Sequence, residues 1–526
     1  MTAQRPRSGD DSRTPEKLVE VDDLVTLVTR AAAQWPDKEA WHFDATGERL
    51  TFTDIDARST DFAIALAELG VERGDRVAVM LRNQPEFPLL WLALAKLGAS
   101  LVPVNTNYRE LDGRHVLAHS GAKLAVAAGE FVELLNTIAP ETSVRQVLTP
   151  GELGKTGPAR DFTASGEQPA NVQYTSGTTG APKGCVLPHR YWTTLAKSLV
   201  LHDPEVYSGD VLLTAQPFHY IDPQWNVALG LASGAKLVVL DRFHPSTFWA
   251  KVREHRVTWF YCLGLMPTLL LRQPEAPEDR EHHVRAIFAS AIPRELHAEL
   301  EARWGVPWFE AFGMTETGSD IRVSAADHDE LVGTGCIGRP NTAREVMIAD
   351  EHGKPLPRGE TGELLIRGIG LMQGYHEDPE ATERAFRGGW FHTGDLARMD
   401  TDGRVFYVGR TKDMIRRSGE NISADEVERA LLLHPEVRLA AVIAVPDELR
   451  GEEIKAYVVL SGERAVDPEE LASFCGEKLA YFKVPRFWVY ADALPLTPSE
   501  RVAKGELRRE DPRAGAYDRT ESRWLP

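Results

Sequence analysis

The chain has 526 residues, 43% of them apolar and 26% charged, and its 60 lysines and arginines face 78 acidic residues for a formal net charge of −18. That length exceeds what a single hydrophobic core organises, so two or more domains are expected. The acidic balance excludes unaided binding to nucleic acid or to an anionic membrane surface, both of which reward clustered positive charge. Any anionic substrate must therefore be met by local cations. Four cysteines, Cys185, Cys262, Cys336 and Cys475, lie far apart with no C-x-x-C pair, the pattern of reduced structural thiols in a cytoplasmic protein rather than of a zinc site.

In chain order, residues 1–17 are rich in Arg, Ser, Asp and Pro and are expected to be a disordered tail without a secretory signal. Leu24, Leu27, Val28 and Ala31 recur at helical spacing and predict an amphipathic helix within 19–35. Residues 51–56 read as a short strand running into a helix capped near Thr53. The longest apolar stretch, 87–104, carries Lys96, Gly98 and Pro103, so it reads as a buried helix turning into a strand and not as a membrane span. Strands at 76–80, 99–104 and 124–127 alternate with helices, which calls for βαβ units and parallel sheets. The alternation returns with strands at 237–240, 258–262 and 286–289 and helices at 246–255, 266–271 and 294–303. After Gly333, short strands with Gly/Pro turns (363–367, 405–408) predict a β-rich subdomain. From Arg410 on, helices at 424–433 and 468–479 and strands at 439–445 and 454–460 make a third region of roughly 115 residues, a size suited to an independent unit. Residues 512–526 read as a mostly polar tail.

Between a candidate strand at 170–175 and a helix starting near His189 lies Thr175-Ser176-Gly177-Thr178-Thr179-Gly180-Ala181-Pro182-Lys183-Gly184. Small residues let backbone N–H groups converge on an anion, hydroxyls add donors, and Lys183 supplies a compact positive charge. A glycine-rich turn between strand and helix is where an α/β protein usually receives phosphate. The spacing is not that of G-x-x-x-x-G-K-[ST]. From composition alone, a plain surface loop is the favoured reading.

Letter for letter, however, this run resembles the signature loop of the adenylate-forming superfamily, which includes acyl-CoA synthetases, luciferases and peptide-synthetase adenylation domains. Further motifs follow in that family's order. Phe312-Gly313-Met314-Thr315-Glu316 resembles its aromatic-Gly-x-Thr-Glu motif. The resemblance implies that Phe312 stacks on adenine, Thr315 bonds the nucleotide phosphate and Glu316 holds Mg²⁺, a hard cation that takes oxygen ligands and few protein groups. Gly389 to Leu396 resembles the next signature, in which Asp395 accepts both ribose hydroxyls, a task for an acceptor-only carboxylate. Gly409 to Ile422 matches the segment joining two domains: Arg410 would reach the ribose, Lys412 would be the hinge for rotation of a small domain, and Gly419 would let the pantetheine arm of coenzyme A pass close to backbone. Ser290 and Ala291 correspond to an adenine-contacting segment that is usually glycine-rich. Gln216 to Trp225 occupies the acyl-pocket position, with His219, Tyr220, Asp222, Gln224, Trp225 and Gly313 as wall candidates. Asp222 and Gln224 are unusually polar for a fatty-acyl wall, and either face a polar substrate or pair within the fold.

One motif departs from the pattern. Relatives read Thr-x-x-Gly-Lys near the C-terminus, whereas this chain has Thr497-Pro498-Ser499-Glu500-Arg501. Arginine keeps the charge of the catalytic lysine but is planar and larger, and Lys504 could replace it only with a backbone shift. The resemblance implies an α/β fold with a large N-terminal domain of βαβ sheets plus a β-rich subdomain (18–409), a hinge (410–412) and a small mobile α+β C-terminal domain (413–511), followed by the 512–526 tail. It implies an ATP-dependent, Mg²⁺-using acid–coenzyme A ligase acting through an acyl-adenylate on a small or polar acid. Lys183, Thr315, Glu316 and Arg501 would be catalytic, and Thr175, Ser176, Gly177, Thr178, Thr179 and Gly180 would bind nucleotide. Three alternatives remain: a non-standard adenylating enzyme such as a nitrite-activating diazotase, loading of a carrier protein, and a weakly active nucleotide-binding regulator. A homodimer is also open.

Overall fold

The computed structural model describes residues 20–154, 162–175, 182–418, 420–462, 464–497 and 502–526. These fall into two units, the first built from 20–175, 182–345 and 367–384 and the second from 346–366 and 385–526. The N-terminal tail expected to be disordered lies outside the described residues.

Two sheets organise the first unit. One runs in the order Gly374–Tyr375, Lys183–Pro188, Pro169–Thr175, Ser100–Pro103, Arg76–Met80, Leu124–Ala127 and Gln146–Leu148. Arg76–Met80 pairs parallel with both Ser100–Pro103 and Leu124–Ala127, as the βαβ reading requires. The crossover helix Glu86–Leu97 is buried from Phe87 through Lys96, the all-round burial that its composition announces. Lys96 is tolerated there because its amine lies 2.7 Å from Asp56 Oδ1 and 2.7 Å from the Thr60 hydroxyl, which ties this helix to the helix Phe52–Glu68. A buried charge is stable only when paired in this way. No helix among the described residues is long and apolar enough to cross a membrane. The second sheet runs Cys336–Pro340, Gly318–Arg322, Trp308–Met314, Ala286–Ser290, Trp259–Leu263, Val211–Thr214, Lys236–Val239, Glu39–Phe43 and Glu48–Thr51 within this unit. Its core gathers Trp249, Phe260, Trp304 and Trp308, with Trp249 stacked on Trp304 at 4.9 Å.

Two local expectations are corrected. The helix placed near Thr53 is capped by Thr51, whose side chain and that of Asp54 exchange hydrogen bonds in a capping box; the reciprocal pair satisfies two N–H groups and so fixes the start two residues earlier. The phosphate-loop candidate does not connect a strand to a helix. Lys183–Pro188 is itself a strand, antiparallel to Pro169–Thr175, with Thr175 opposite Lys183 and Tyr174 opposite Gly184. The helix His189–Leu201 begins only after Pro188, whose ring ends the strand's supply of donors.

In the second unit, Thr361–Gly368, Phe391–Met399 and Val405–Arg410 pair antiparallel in that order, the β-rich texture expected there. A seven-stranded sheet follows, in the order Glu420–Ser423, Met414–Arg417, Gly451–Leu460, Phe487–Tyr490, Tyr517–Asp518 and Arg523–Trp524, with Val437–Asp447 also on Gly451–Leu460. Alternate residues of its two long strands feed separate cores: Ala440, Val442, Ala456 and Val458 pack with Val427, Leu431 and Leu471, while Ala441, Ile443, Tyr457 and Val459 pack with Phe487, Leu507 and Ala516. Strands covered on both faces read as unbroken apolar runs. The polar C-terminal stretch, expected only as a tail, supplies part of that second cover. Ala516 is fully buried and Asp518 is 1% exposed. Arg486 grips Asp518 with Nε at 3.0 Å and Nη2 at 2.8 Å from its two oxygens. The signal in the sequence was Tyr517 and Trp524 on either side of a short polar turn, with their rings 5.5 Å apart in the fold. All four cysteines are free and buried, and burial raises the thiols of Cys185, Cys262 and Cys475 above their usual range.

Asp518→Ala leaves the Arg486 guanidinium without its bidentate partner. The expected loss is about 2 kcal/mol in urea unfolding of the second unit, below the roughly 3–5 kcal/mol of a fully buried pair because Asp447 still reaches Arg486.

Candidate functional site

The strand Pro169–Thr175 is the foundation of the site in the first unit. Successive side chains point to opposite faces, so Asn171 and Gln173 share one face while Val172 and Tyr174 enter the apolar core on the other. Asn171 Nδ2 donates to Gln224 Oε1 at 2.7 Å and Gln173 Nε2 to the His219 carbonyl at 2.7 Å. The strand that leads into the glycine-rich loop thus also holds the segment that the sequence reading takes for an acid pocket. Ser176, Gly177, Thr178, Thr179 and Gly180 lie outside the described residues.

Beyond the loop, the Lys183 amine stands 4.9 Å over the ring of Tyr375, and the Tyr375 hydroxyl donates to Glu316 Oε1 at 3.1 Å. Burial, then the Glu316 charge, raises the Tyr375 pKa, so the phenol stays protonated as a donor. The lysine cation and the Glu316 carboxylate are thereby linked through an aromatic ring: cation–π attraction steadies the amine while one hydrogen bond orients the carboxylate. Tyr375 escaped the sequence reading because it lies far along the chain from both residues and reaches them through a two-residue strand on Lys183–Pro188. Phe312 and Gly313 lie at the end of the strand Trp308–Met314, opposite Ile321 and Ser319, and Thr315 and Glu316 occupy the turn that follows before Gly318–Arg322. A Cβ on Gly313 would stand 1.9 Å from the Gly318 carbonyl oxygen, so no other residue fits. Beneath the turn, Arg344 Nε meets Asp320 Oδ1 at 2.6 Å in a buried pair.

The acid-pocket segment leads into the helix Ile221–Ser233. Gln224 is fully buried; its amide nitrogen donates to Gln173, Phe218 and Tyr220 while its oxygen accepts from Asn171. With these bonds made, its amide is paired within the fold, one of the two readings that the sequence leaves open. Asp222 accepts from the Trp225 indole at 3.3 Å, and the Tyr220 hydroxyl accepts from Asn105 at 3.3 Å. His219 is buried with neither ring nitrogen hydrogen-bonded among the described residues; burial pushes its pKa down to about 3, so it is a neutral imidazole at physiological pH. Trp225 packs edge-on against Tyr261 at 5.5 Å, and the Tyr261 hydroxyl lies 2.5 Å from Ser290 Oγ.

Ser290 in turn donates to the Ala311 carbonyl at 2.7 Å. Next to it, Ala291 adopts φ +66°, a left-handed conformation that glycine enters freely and alanine does not. The Glu310 carboxylate holds it there by accepting from the N–H of Ala291 at 2.7 Å and of Ile292 at 3.0 Å. These two bonds hold the left-handed turn in place with alanine at its apex. Glu310 was not legible as a functional residue, since a lone buried glutamate in a strand carries no motif.

In the second unit, Asp395 and Arg410 stand directly opposite across a strand pair. Arg410 Nε lies 3.0 Å from Asp395 Oδ1, and Asp395 is almost fully buried. Tyr407 adds a hydroxyl 3.4 Å from Asp425 Oδ2. Lys412 is an exposed residue, yet desolvation of its amine lowers its pKa to about 8 against the opposing pull of Asp413, helped by the nearby Arg410, Arg508 and Lys504 charges. Lys504 is not free to take another role: its amine lies 2.8 Å from Glu428 and 3.3 Å from Asp425. Burial alone would lower its pKa, but those carboxylates raise it. Gly419 and Arg501 lie outside the described residues.

In the first unit, Glu316 offers an oriented carboxylate oxygen of the kind Mg²⁺ takes, and Lys183 a cation. In the second unit, Asp395 offers an acceptor and Arg410 a cation. By contrast, the cluster His297, Glu301 and His328, whose ligand atoms lie within 4.8 Å of one another, is closed by its own bonds: Glu301 Oε1 takes His328 Nε2 at 2.7 Å and the Trp308 N–H at 2.8 Å, and His297 Nδ1 accepts from Gly333. It reads as structural.

Ala291→Gly relieves the left-handed strain. The variant is expected to gain about 1 kcal/mol in denaturant unfolding, and Ala291→Val, β-branched at the same φ, to lose at least as much.

A family model described as AMP-binding enzyme matches residues 28–376, and one described as AMP-binding enzyme C-terminal domain matches 426–501. A crotonobetaine/carnitine–CoA ligase of Salmonella agona (strain SL483) is 32% identical over 515 residues, covering 91% of this chain and 97% of the relative. The o-succinylbenzoate CoA synthetase of Bacillus subtilis in complex with its acyl-adenylate intermediate superposes with a TM-score of 0.84 at 28% identity, over 93% of this chain and 99% of that one. The same synthetase with ATP and magnesium ion gives a TM-score of 0.82 at 28% identity, over 92% and 99%. The chain belongs to the AMP-binding enzyme family.

Proposed function

We propose that this enzyme activates a small or polar carboxylic acid and transfers it to coenzyme A. The chain is an AMP-forming acid–coenzyme A ligase using ATP and Mg²⁺. The observation that supports a polar acid is His219, a buried neutral imidazole with neither ring nitrogen hydrogen-bonded among the described residues: against hydrocarbon it would stay unpaired at a cost of about 1–3 kcal/mol, whereas a polar acid could satisfy it.

In the first half-reaction the acid's carboxylate oxygen attacks the α-phosphorus of ATP, the bond to the bridging oxygen breaks, and pyrophosphate leaves with that electron pair. We assign to Lys183 and Arg501 the stabilisation of charge on the transferring and leaving phosphates, the main lever of such chemistry. Thr315 is assigned a phosphate hydrogen bond, Glu316 the metal, Phe312 the adenine face, and Asp395 with Arg410 the ribose. Bound Mg²⁺ supplies neutralisation of phosphate charge. In the second half-reaction the thiolate of coenzyme A attacks the acyl carbonyl, and AMP departs with the electron pair of the bond it loses; a thiol pKa of about 8.5 leaves a few per cent thiolate at neutral pH. We place the division of labour at a large domain (18–409), a hinge at Lys412 within 410–412 and a small domain (413–511), with Gly419 beside the thiol arm. We further infer a cytoplasmic enzyme, consistent with its four buried free thiols. Sedimentation velocity distinguishes monomer from homodimer, and a carrier protein replacing coenzyme A tests the other acceptor.

The deciding measurement is acid-dependent AMP formation over short polar acids, crotonobetaine, carnitine, aryl acids, fatty acids and nitrite, with and without coenzyme A. Thioester formation with small polar acids, and little with long fatty acids, is expected. AMP formed with nitrite and an arylamine but never a thioester would sink the ligase reading. Arg501→Ala should slow adenylation more than thioester formation from supplied acyl-adenylate. Equal losses in both half-reactions would remove Arg501 from the phosphates.

A further inference from the structure

Behind the hairpin that delivers Lys183 lies a pair of histidines that no motif predicts. His115 and His119 sit one turn apart on the helix Glu110–Ser120 with their rings stacked at 5.4 Å and 23°. His119 Nδ1 lies 2.7 Å from the Tyr174 hydroxyl, on the outgoing strand. His115 Nε2 lies 3.0 Å from the Pro182 carbonyl, one residue before the returning strand Lys183–Pro188. A carbonyl oxygen only accepts, so His115 carries its proton on Nε2 and donates. Tyr174 and Pro182 immediately precede Thr175 and Lys183, the residues paired in the last rung of the hairpin. One helix face therefore touches both arms of the hairpin beside that rung.

The platform is itself anchored. Arg114 pairs with Glu110 and Glu141 on the outward side, and the Arg76 side chain bonds the Ser120 carbonyl at the helix end. His376 closes the far side, its ring 5.5 Å from that of His119 and its N–H donating to the Gly184 carbonyl at 2.7 Å. From Gly184 the chain reaches Lys183, and beside His376 is Tyr375, over which the lysine amine stands.

We propose that His115 and His119 are positioning residues for the nucleotide half of the reaction: they clamp the two strands of the hairpin and so set the Lys183 amine over Tyr375, where it meets ATP. The inference rests on the ATP-using reading of the site. The clamp has a pH signature through His119. The charged and titratable groups around it are Asp112 and Arg114 on its own helix, Arg76 and Tyr174 on the neighbouring strands, and His376, Glu377 and Asp378 across from it. Burial first, then the nearby His115, lowers the His119 pKa; burial first, then Arg76, lowers that of His376; Glu377 opposes both. Folded values below the ordinary 6.5 favour the neutral forms, so the clamp is at full strength above that pH and weakens as pH falls through the lowered values.

The test is direct ATP titration by calorimetry, with KM for ATP and for the acid, on the wild type and on His115→Phe, His115→Gln and His119→Phe, each checked for an unchanged melting temperature. His115→Phe keeps the ring stack and removes the donor. It is expected to weaken ATP about 3- to 10-fold, the worth of one hydrogen bond, while the KM for acid stays within about twofold. His115→Gln, which restores an N–H donor, should recover most of that loss. Wild-type ATP affinity should hold above about pH 6.5 and drop as pH falls below it, and His119→Phe should flatten that drop. ATP affinity unchanged in His115→Phe, equal rises in both KM values, or a Gln variant no better than Phe overturns the clamp. Because ATP binding is read without turnover, a wild type that binds ATP but makes no thioester defeats the ligase reading alone, and a working ligase indifferent to His115 defeats the clamp alone.

Discussion

The backbone pairing of Thr175 with Lys183 constrains everything else in the first unit. It places a cation where an antiparallel hairpin ends, so the lysine's position is set by a strand ladder and not by a helix N-terminus. The same outgoing strand uses its two faces for different ends. Asn171 and Gln173 brace the acid wall through Gln224 and His219, while Tyr174 turns toward the helix that bears His115 and His119. A perturbation of this strand is thus felt by the proposed nucleotide and acid sites together, because a strand cannot rotate one face without the other.

Charge is handled locally throughout. In a chain with a net charge of −18, the cations assigned to ATP are each given a fixed partner that leaves the charge available: a ring for Lys183, a buried carboxylate for Arg410. Where a cation is fully enclosed by acids, as Lys504 is between Glu428 and Asp425, it serves the fold. That contrast is what turns attention to Arg501 as the remaining cation of the degenerate C-terminal motif.

The sequence was most legible where a pattern is local. Parallel strands at 76–80 and 124–127 and the helix Met266–Leu271 fall where periodicity puts them, and the motif residues Asp395 and Arg410, fifteen positions apart, do meet. It was least legible where a partner comes from far along the chain. Nothing near Lys183 announces Tyr375, nothing near Ala291 announces Glu310, and the two histidines on Glu110–Ser120 look like ordinary helix polar residues until a strand pair is laid beside them. The polar status of Gln224 was ambiguous for the same reason: its acceptors lie on other elements, and only their positions decide between substrate and scaffold.

The C-terminal hairpin has one further consequence. Without Tyr517–Asp518 and Arg523–Trp524, the strand Phe487–Tyr490 would present a bare row of N–H and C=O groups flanked by Phe487 and Trp488, the kind of template on which another chain can add itself. The hairpin moves the open border outward to a two-residue strand whose Arg523 is neutralised by Glu521. Short and charged, that border discourages edge-to-edge association between copies, so the last dozen residues act as a guard against aggregation as well as a cover for the core.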